Sequence, residues 1–558
     1  MTVGRTPRDE LQRIIGAGGR KGDLYAKLKS LIDRSGDHVR QEYPRIPRRV
    51  SGYNLDQLLP ENDFHVARAL VGSEGTCALT LEATLNLTPS PPYRALLLMG
   101  YGDWGTAGDH APAIVQQKPI ALEGFDVHVL ENMQRKGEEP AGRKQLPEGR
   151  LWLLAEFGGE SQAEATGRAD AALKALKGKV GETEMRVIGE PADQKAIWSI
   201  REAGVGASRV PGREDSWPSW EDTAVSVERL GDYLRDFQKL ISRYQYNCTM
   251  FGHFGQGCLH TRFDFDLKSE PGVRKFRRFL EAGADLVAEY GGSLPGEHGD
   301  GQAKAELLGR MYGPALLSAF REFKAIWDPD WKPNPGKIVD PYPLDDNLRT
   351  GPDYRPWRPQ THFQFPEDGG SIAQAAERCF GVGLCRSLSD KRTMCPSFAA
   401  TRDERHTTRG RAHLLFELFR GDSLGDGWRN KAVKDALDLC PQCKGCKGDC
   451  PVKVDMATYK AEFLSHYYEH CQRPRSAYAA GYVHRWAPYA SRLAPVFNVA
   501  TQTTGLRQVA NMIAGFQYGV ALPKITSSTQ NHCSAKQGLR RFWWTSLLVQ
   551  TNGLAVSL

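Results

Sequence analysis

The run Cys440-Pro-Gln-Cys443-Lys-Gly-Cys446-Lys-Gly-Asp-Cys450-Pro451 sets four thiols at x2, x2 and x3 spacing and closes with proline. Thiolates this close wrap one corner of an iron–sulfur cubane, and the fourth, followed by proline, ligates a different cluster. A second cysteine group is therefore required, and Cys379, Cys385 and Cys395-Pro396 lie upstream. Reciprocity assigns Cys440, Cys443 and Cys446 with Cys395 to one 4Fe-4S cluster. Cys379 and Cys385 with Cys450 fall to the other. Zinc, which needs four ligands and favours paired C-x2-C knuckles, leaves the x3-Pro spacing unexplained. The middle of the upstream group is Val382, where a regular C-x2-C-x2-C would carry a thiol. With three thiolates that cluster is expected as 3Fe-4S, or with a non-cysteine ligand. Two clusters make an electron relay, not a hydrolase.

Three glycine-rich stretches could supply the electrons. Val71-Gly-Ser-Glu-Gly-Thr76 offers close backbone approach at Gly72 and Gly75, and hydroxyls at Ser73 and Thr76 that suit a phosphate or ribityl oxygen. Gly252-His253-Phe-Gly-Gln-Gly-Cys-Leu-His260 carries two histidines seven apart. On one regular strand an odd separation puts them on opposite faces, an objection that a glycine turn removes. Gly291-Gly-Ser-Leu-Pro-Gly-Glu297-His298-Gly-Asp-Gly301 adds a carboxylate and a third imidazole. These are the types that a metal site with a neighbouring base requires.

The elements that must hold these residues are strands such as Ala95–Met99 and Leu151–Phe157, alternating with amphipathic helices. The helix expected over Val273–Tyr290 repeats apolar residues at Phe276, Phe279, Leu280, Ala284 and Val287 and stops at Gly291-Gly292. At 558 residues the chain exceeds one core. Thr88-Pro-Ser-Pro-Pro92 punctuates the first block, and 346–370, rich in Pro, Asp and Gly, reads as a linker. Seven of the 12 cysteines lie between Cys379 and Cys450, which with no apolar leader favours metal ligation over disulfides. The longest late apolar run, Phe542–Val549, is too short to span a membrane. The chain is expected to be cytoplasmic. From Cys471 to Leu558 there are nine Lys or Arg and no Asp or Glu; removing these from the net +7 leaves about −2 on the rest. That excludes a nucleic-acid footprint on the body. The basic tail keeps open a peripheral association with the inner membrane face.

Gly52-Tyr-Asn54, Val71–Thr76, His253–His260, Gly296-Glu-His-Gly299 and Asn334-Pro-Gly-Lys337, in that order, resemble FAD-linked dehydrogenases of the vanillyl-alcohol-oxidase superfamily. The similarity is to the D-2-hydroxy-acid branch, which includes D-lactate and D-2-hydroxyglutarate dehydrogenases, fused to an iron–sulfur domain. Cys379-x2-Val382-x2-Cys385 further resembles the trinuclear site of succinate dehydrogenase iron–sulfur subunits. The resemblance covers roughly residues 20–475. It implies an α+β fold: part of an FAD-binding domain over 1–90, an FAD-linked oxidase C-terminal (cap) domain over 91–345, an all-helical ferredoxin-like domain over 371–475, and a basic tail over 476–558. Gly72, Ser73, Gly75 and Thr76 would touch FAD, with Asn334 near its ring. His253, His260 and Glu297 would hold a divalent metal, probably zinc in the family's terms. His298 would be the general base, and Arg201 would fork onto a substrate carboxylate. The implied reaction oxidises a D-2-hydroxy acid to the 2-oxo acid, with electrons passing from FAD through the clusters to a quinone, cytochrome or redox protein. The alternative is an electron-transfer subunit without a working flavin site. Gln256 and Cys258 depart from the family's loop, and a family lysine that reads a distal carboxylate falls near Trp220. The family's flavin domain extends upstream of Gly52, so the chain reads as a fragment whose hold on FAD depends on a partner supplying that half.

Overall fold

Strands β1 (Tyr93–Tyr101) and β3 (Leu151–Gly159) are buried almost throughout, and side-chain alternation splits them between two cores. Ala95, Leu97, Met99, Leu153, Ala155 and Phe157 face one core. Leu96, Leu98, Trp152 and Leu154 face the other. Period two on a sheet covered on both sides gives this division. The computed structural model describes residues 1–213, 215–388 and 394–517, with 520, 522, 524 and 525 beyond them. The Phe542–Val549 run lies outside the described residues.

With β2 (Ala121–Asp126), β4 (Met185–Ile188), β5 (Thr223–Ala224), β6 (Cys248–His253) and β7 (Cys258–Phe263), these form one seven-stranded sheet. Its order is β4-β1-β3-β2-β6-β7-β5, and each pairing is antiparallel. Helices Leu230–Tyr244 and Glu270–Glu289 cover one face through Tyr233, Leu234, Phe237, Phe276, Phe279 and Leu280. Val127–Arg135 and Pro191–Ala207 cover the other. The helix expected from Val273 starts three residues earlier, because the Ser269 hydroxyl accepts from the Gly272 N–H and caps it there.

The chain divides into two units, 1–354 and 355–558. In the first, residues 1–90 do not close a core of their own. Tyr25, Leu28, Leu31 and Tyr53 pack with Leu316, Phe320 and Phe323 from the far end of the unit. The second unit is helical around a core in which Cys385, Cys395, Cys440, Cys446 and Cys450 sit among Leu415, Phe419, Val433 and Leu437. The tail forms short helices between Arg475 and Ala514. Among the described residues no helix is long and apolar enough to cross a membrane.

Candidate functional site

The two histidines come together through the β6–β7 hairpin. His253 pairs with Cys258 and Phe251 with His260. The chain reversal resets the parity: cross-strand partners share a face, so His260 lies beside Phe251 and, two residues on, His253. Gly257 makes the turn possible, with φ +63 and a position where a Cβ would lie 2.0 Å from the Val225 carbonyl oxygen. The His253 and His260 rings end 5.2 Å apart.

Glu297 reaches this pair from the loop after Gly291. Its Oε1 lies 3.1 Å from His253 Nε2, 3.1 Å from His260 Nε2 and 3.5 Å from His298 Nε2. Arg48 donates to its other oxygen. The His260 hydrogen bond and the positive groups around it outweigh burial and hold the Glu297 carboxyl far below its ordinary range. His253 Nδ1 is 2.6 Å from Glu123 Oε1, a contact that raises His253 above its usual value. Burial moves His260 the other way, toward the neutral imidazole.

The donor chemistry fits a divalent cation. Two imidazoles and a carboxylate converge, one ring is kept neutral, and the other is oriented by a carboxylate on its far nitrogen. His298 stands at the rim, half exposed, its ring stacked 5.2 Å from His260. Its Nδ1 faces Asp222 and Glu221 at 3.7 and 3.8 Å.

Asp222 is the residue that sequence reasoning missed. Buried to 1% exposure, it accepts from the backbone N–H groups of Glu297 and His298 and from the Cys258 thiol. Its signal was a positive φ at a non-glycine residue, which sequence alone does not print. The two unusual loop residues are absorbed locally: Gln256 accepts from Arg48, and Cys258 donates to Asp222. Trp220 is fully buried in the sheet core, away from any ligand.

Arg201 sits elsewhere than expected. Its Nε and Nη2 donate to Glu123 Oε2 at 3.1 and 2.8 Å, and its guanidinium lies over the Phe251 ring. Burial acts to raise Glu123, but His253 and Arg201 outweigh it, so the carboxyl stays below its ordinary value. The fork therefore grips an internal carboxylate that in turn aims His253.

The 71–76 loop adjoins the same region. The Glu74 carboxylate accepts from the Asp300 and Gly301 N–H groups, two residues beyond His298. Asn334 Nδ2 donates to the Glu74 carbonyl. Gly72 and Gly75 both have positive φ, and a Cβ on Gly75 would meet open space. Ser73 is buried, and Thr76 is turned fully inward, its hydroxyl shared by Tyr53 and the Ser73 carbonyl.

In the second unit the seven cysteines line two cavities of about 310 and 320 Å³. One is lined by Cys395, Cys440, Cys443 and Cys446. The other is lined by Cys379, Cys385 and Cys450, with Val382 at its wall. Sulfur-lined cavities of near-equal size suit two iron–sulfur clusters.

Residues 90–338 match FAD linked oxidases, C-terminal domain, and residues 375–454 match the 4Fe-4S dicluster domain. A D-2-hydroxyglutarate dehydrogenase of Pseudomonas putida is 29% identical over 90% of this chain and 54% of its own length. One of Escherichia coli is 28% identical over 93% of this chain and 56% of its own. The mitochondrial D-lactate dehydrogenase (cytochrome) of Arabidopsis thaliana is 25% identical over 58% of this chain and 54% of its own. The chain thus spans about half the length of these curated relatives. Residues 90–338 are an FAD-linked oxidase C-terminal domain, and behind them residues 375–454 form a 4Fe-4S dicluster domain.

Proposed function

We propose that this chain oxidises a D-2-hydroxy acid, D-2-hydroxyglutarate or D-lactate, to the 2-oxo acid and passes the electrons to iron–sulfur clusters. One observation carries the reading: three imidazoles converge on a single Glu297 oxygen in an FAD-linked oxidase domain, ahead of a domain with two cysteine-lined cavities. When bound, a divalent cation would acidify the substrate hydroxyl, flavin would accept the hydride, and the clusters would take electrons singly.

The chain's own residues prepare that chemistry. Arg201 holds Glu123, and Glu123 fixes the His253 proton on Nδ1, which leaves Nε2 as a ligand beside His260 and Glu297. Zinc suits this donor set. His298 takes the hydroxyl proton, and Asp222 and Glu221 stabilise the imidazolium that results. Gly72, Ser73 and Gly75 supply the backbone toward FAD, Thr76 braces that loop from within, and Asn334 ties it down. Cys395, Cys440, Cys443 and Cys446 hold one 4Fe-4S cluster; Cys379, Cys385 and Cys450 hold the other, as 3Fe-4S for want of a thiol at Val382. The final acceptor is a quinone, a cytochrome or a redox protein. A peripheral approach to a membrane is supported by exposed Leu493, Val496 and Met512 beside a run without acidic residues.

The test is anaerobic mixing of FAD-reconstituted protein with D-2-hydroxyglutarate and D-lactate in turn. Bleaching of the flavin band by one of them is expected, and its loss in His298→Ala with cluster absorbance intact. Reduction of neither flavin nor clusters by either acid overturns the reading.

A further inference from the structure

Between the flavin loop and β1 runs a segment that nothing in the described chain covers. Each residue from 79 to 90 is exposed. Leu79, Leu81, Leu85 and Leu87 are 87%, 90%, 76% and 92% exposed. Among the described residues, no backbone N–H of 77–92 donates to another part of the chain. Soluble proteins rarely leave four leucines in such a state unless something binds them.

The order of residues specifies what binds. Leu79, Leu81, Ala83, Leu85 and Leu87 fall on one side of an extended chain, and Thr80, Glu82, Thr84 and Asn86 on the other. This is the alternation of a strand with one buried face, rich in the threonine that strands favour. A strand of this kind needs an edge to pair with and an apolar layer to cover its leucines. A second copy of the chain offers only the same strand. Two such strands make an isolated ribbon with its apolar face bare, which is marginal in water.

The segment's anchorage says which sheet. It leaves directly from the 71–76 loop, whose Thr76 carbonyl is held by Lys324, and ends at Pro91-Pro92 before β1. A sheet paired with it brings its own loops to Gly72 and Gly75, where a Cβ on Gly75 would meet only open space. About half of the Pseudomonas putida relative's length lies outside its match to this chain, room enough for such a sheet.

We propose that residues 79–87 are a docking strand, completed by strand addition to a polypeptide that carries an FAD-diphosphate-binding β-sheet. The choice of partner rests on the flavin reading above. The docked sheet and the 71–76 loop together would enclose the cofactor.

The test uses the full chain and, as the partner, the flavin-domain portion of the Pseudomonas putida relative outside the matched stretch. Hydrogen exchange should show the 79–87 amides unprotected in the chain alone and slowed at least tenfold in the mixture. Light scattering should give a one-to-one complex, and flavin should survive gel filtration only with that complex. The pair Leu81→Asp and Leu85→Asp, placed on exposed side chains, should weaken the complex at least tenfold with the chain's Tm unchanged. Protection of 79–87 in the chain alone, a homodimer that protects it, no complex, or a complex indifferent to the two aspartates overturns the proposal. Turnover is not read. An intact complex that fails to oxidise any 2-hydroxy acid would therefore count against the functional reading and leave the docking strand standing.

Discussion

Asp222 illustrates how much of the site is held by a residue that never touches substrate. Its carboxylate satisfies two consecutive backbone N–H groups, of Glu297 and His298, and so sets where the ligand and the base point. Asp222→Ala strands those buried donors and should cost about 3 kcal/mol in stability. Displacement of the base should also lower kcat at least about tenfold. Chemical denaturation and steady-state kinetics read the two effects, and Asp222→Asn, which keeps an acceptor, should lose less of each. Asp300 sits beside it under different physics. Burial is the largest influence on its carboxyl and pushes it up to about 7, against the Gly52 N–H that donates to Oδ2. Its folded pKa then lies above the ordinary value of about 4. The folded state binds the proton more tightly, so stability falls as pH rises between those limits, and the penalty is complete above about 7. Asp300→Asn, which still accepts from Gly52, should match the parent's Tm near pH 4 and exceed it at pH 8. A gap that does not grow with pH would contradict this.

The β6–β7 hairpin shows what an element contributes that a motif cannot. Gly257→Ala places a methyl against the Val225 carbonyl at a positive φ and should cost about 2 kcal/mol or more. Thermal unfolding would report the loss, and weaker zinc uptake would report the separation of His253 from His260. The histidines themselves were legible: glycines at both ends of Gly252–His260 suggested a turn, and the apolar runs of β1, β3 and Glu270–Glu289 named their own elements. The thiol grouping was legible because x2-x2-x3-Pro is a local pattern with a local geometry. Three things were hidden. Arg201 reads as a ligand for substrate because nothing in sequence announces Glu123, 78 residues away, as its partner. Trp220 looks like a pocket residue until the sheet buries it. Thr76 resembles a donor to cofactor until Tyr53 and the Ser73 carbonyl claim its hydroxyl. Each miss is a long-range contact overriding a plausible local role.

At the scale of the molecule, the two units differ in how they are stitched. The second draws its core from residues between Phe365 and Phe463 alone. Residues 355–517 expressed separately should therefore fold and retain iron and sulfide; an iron-free or aggregated product would show that the first unit is needed. The first unit is sewn end to end, with Leu11–Cys77 sharing a core with Leu308–Val339. During translation the ribosome must add about 230 residues before the leading helices meet what covers them. At synthesis rates of roughly 5–20 residues per second that wait is on the order of 10–50 s. For that time Tyr25, Leu28 and Leu31 stand bare, which makes the emerging chain a client for chaperones and sets the yield of active protein by the speed at which it is made.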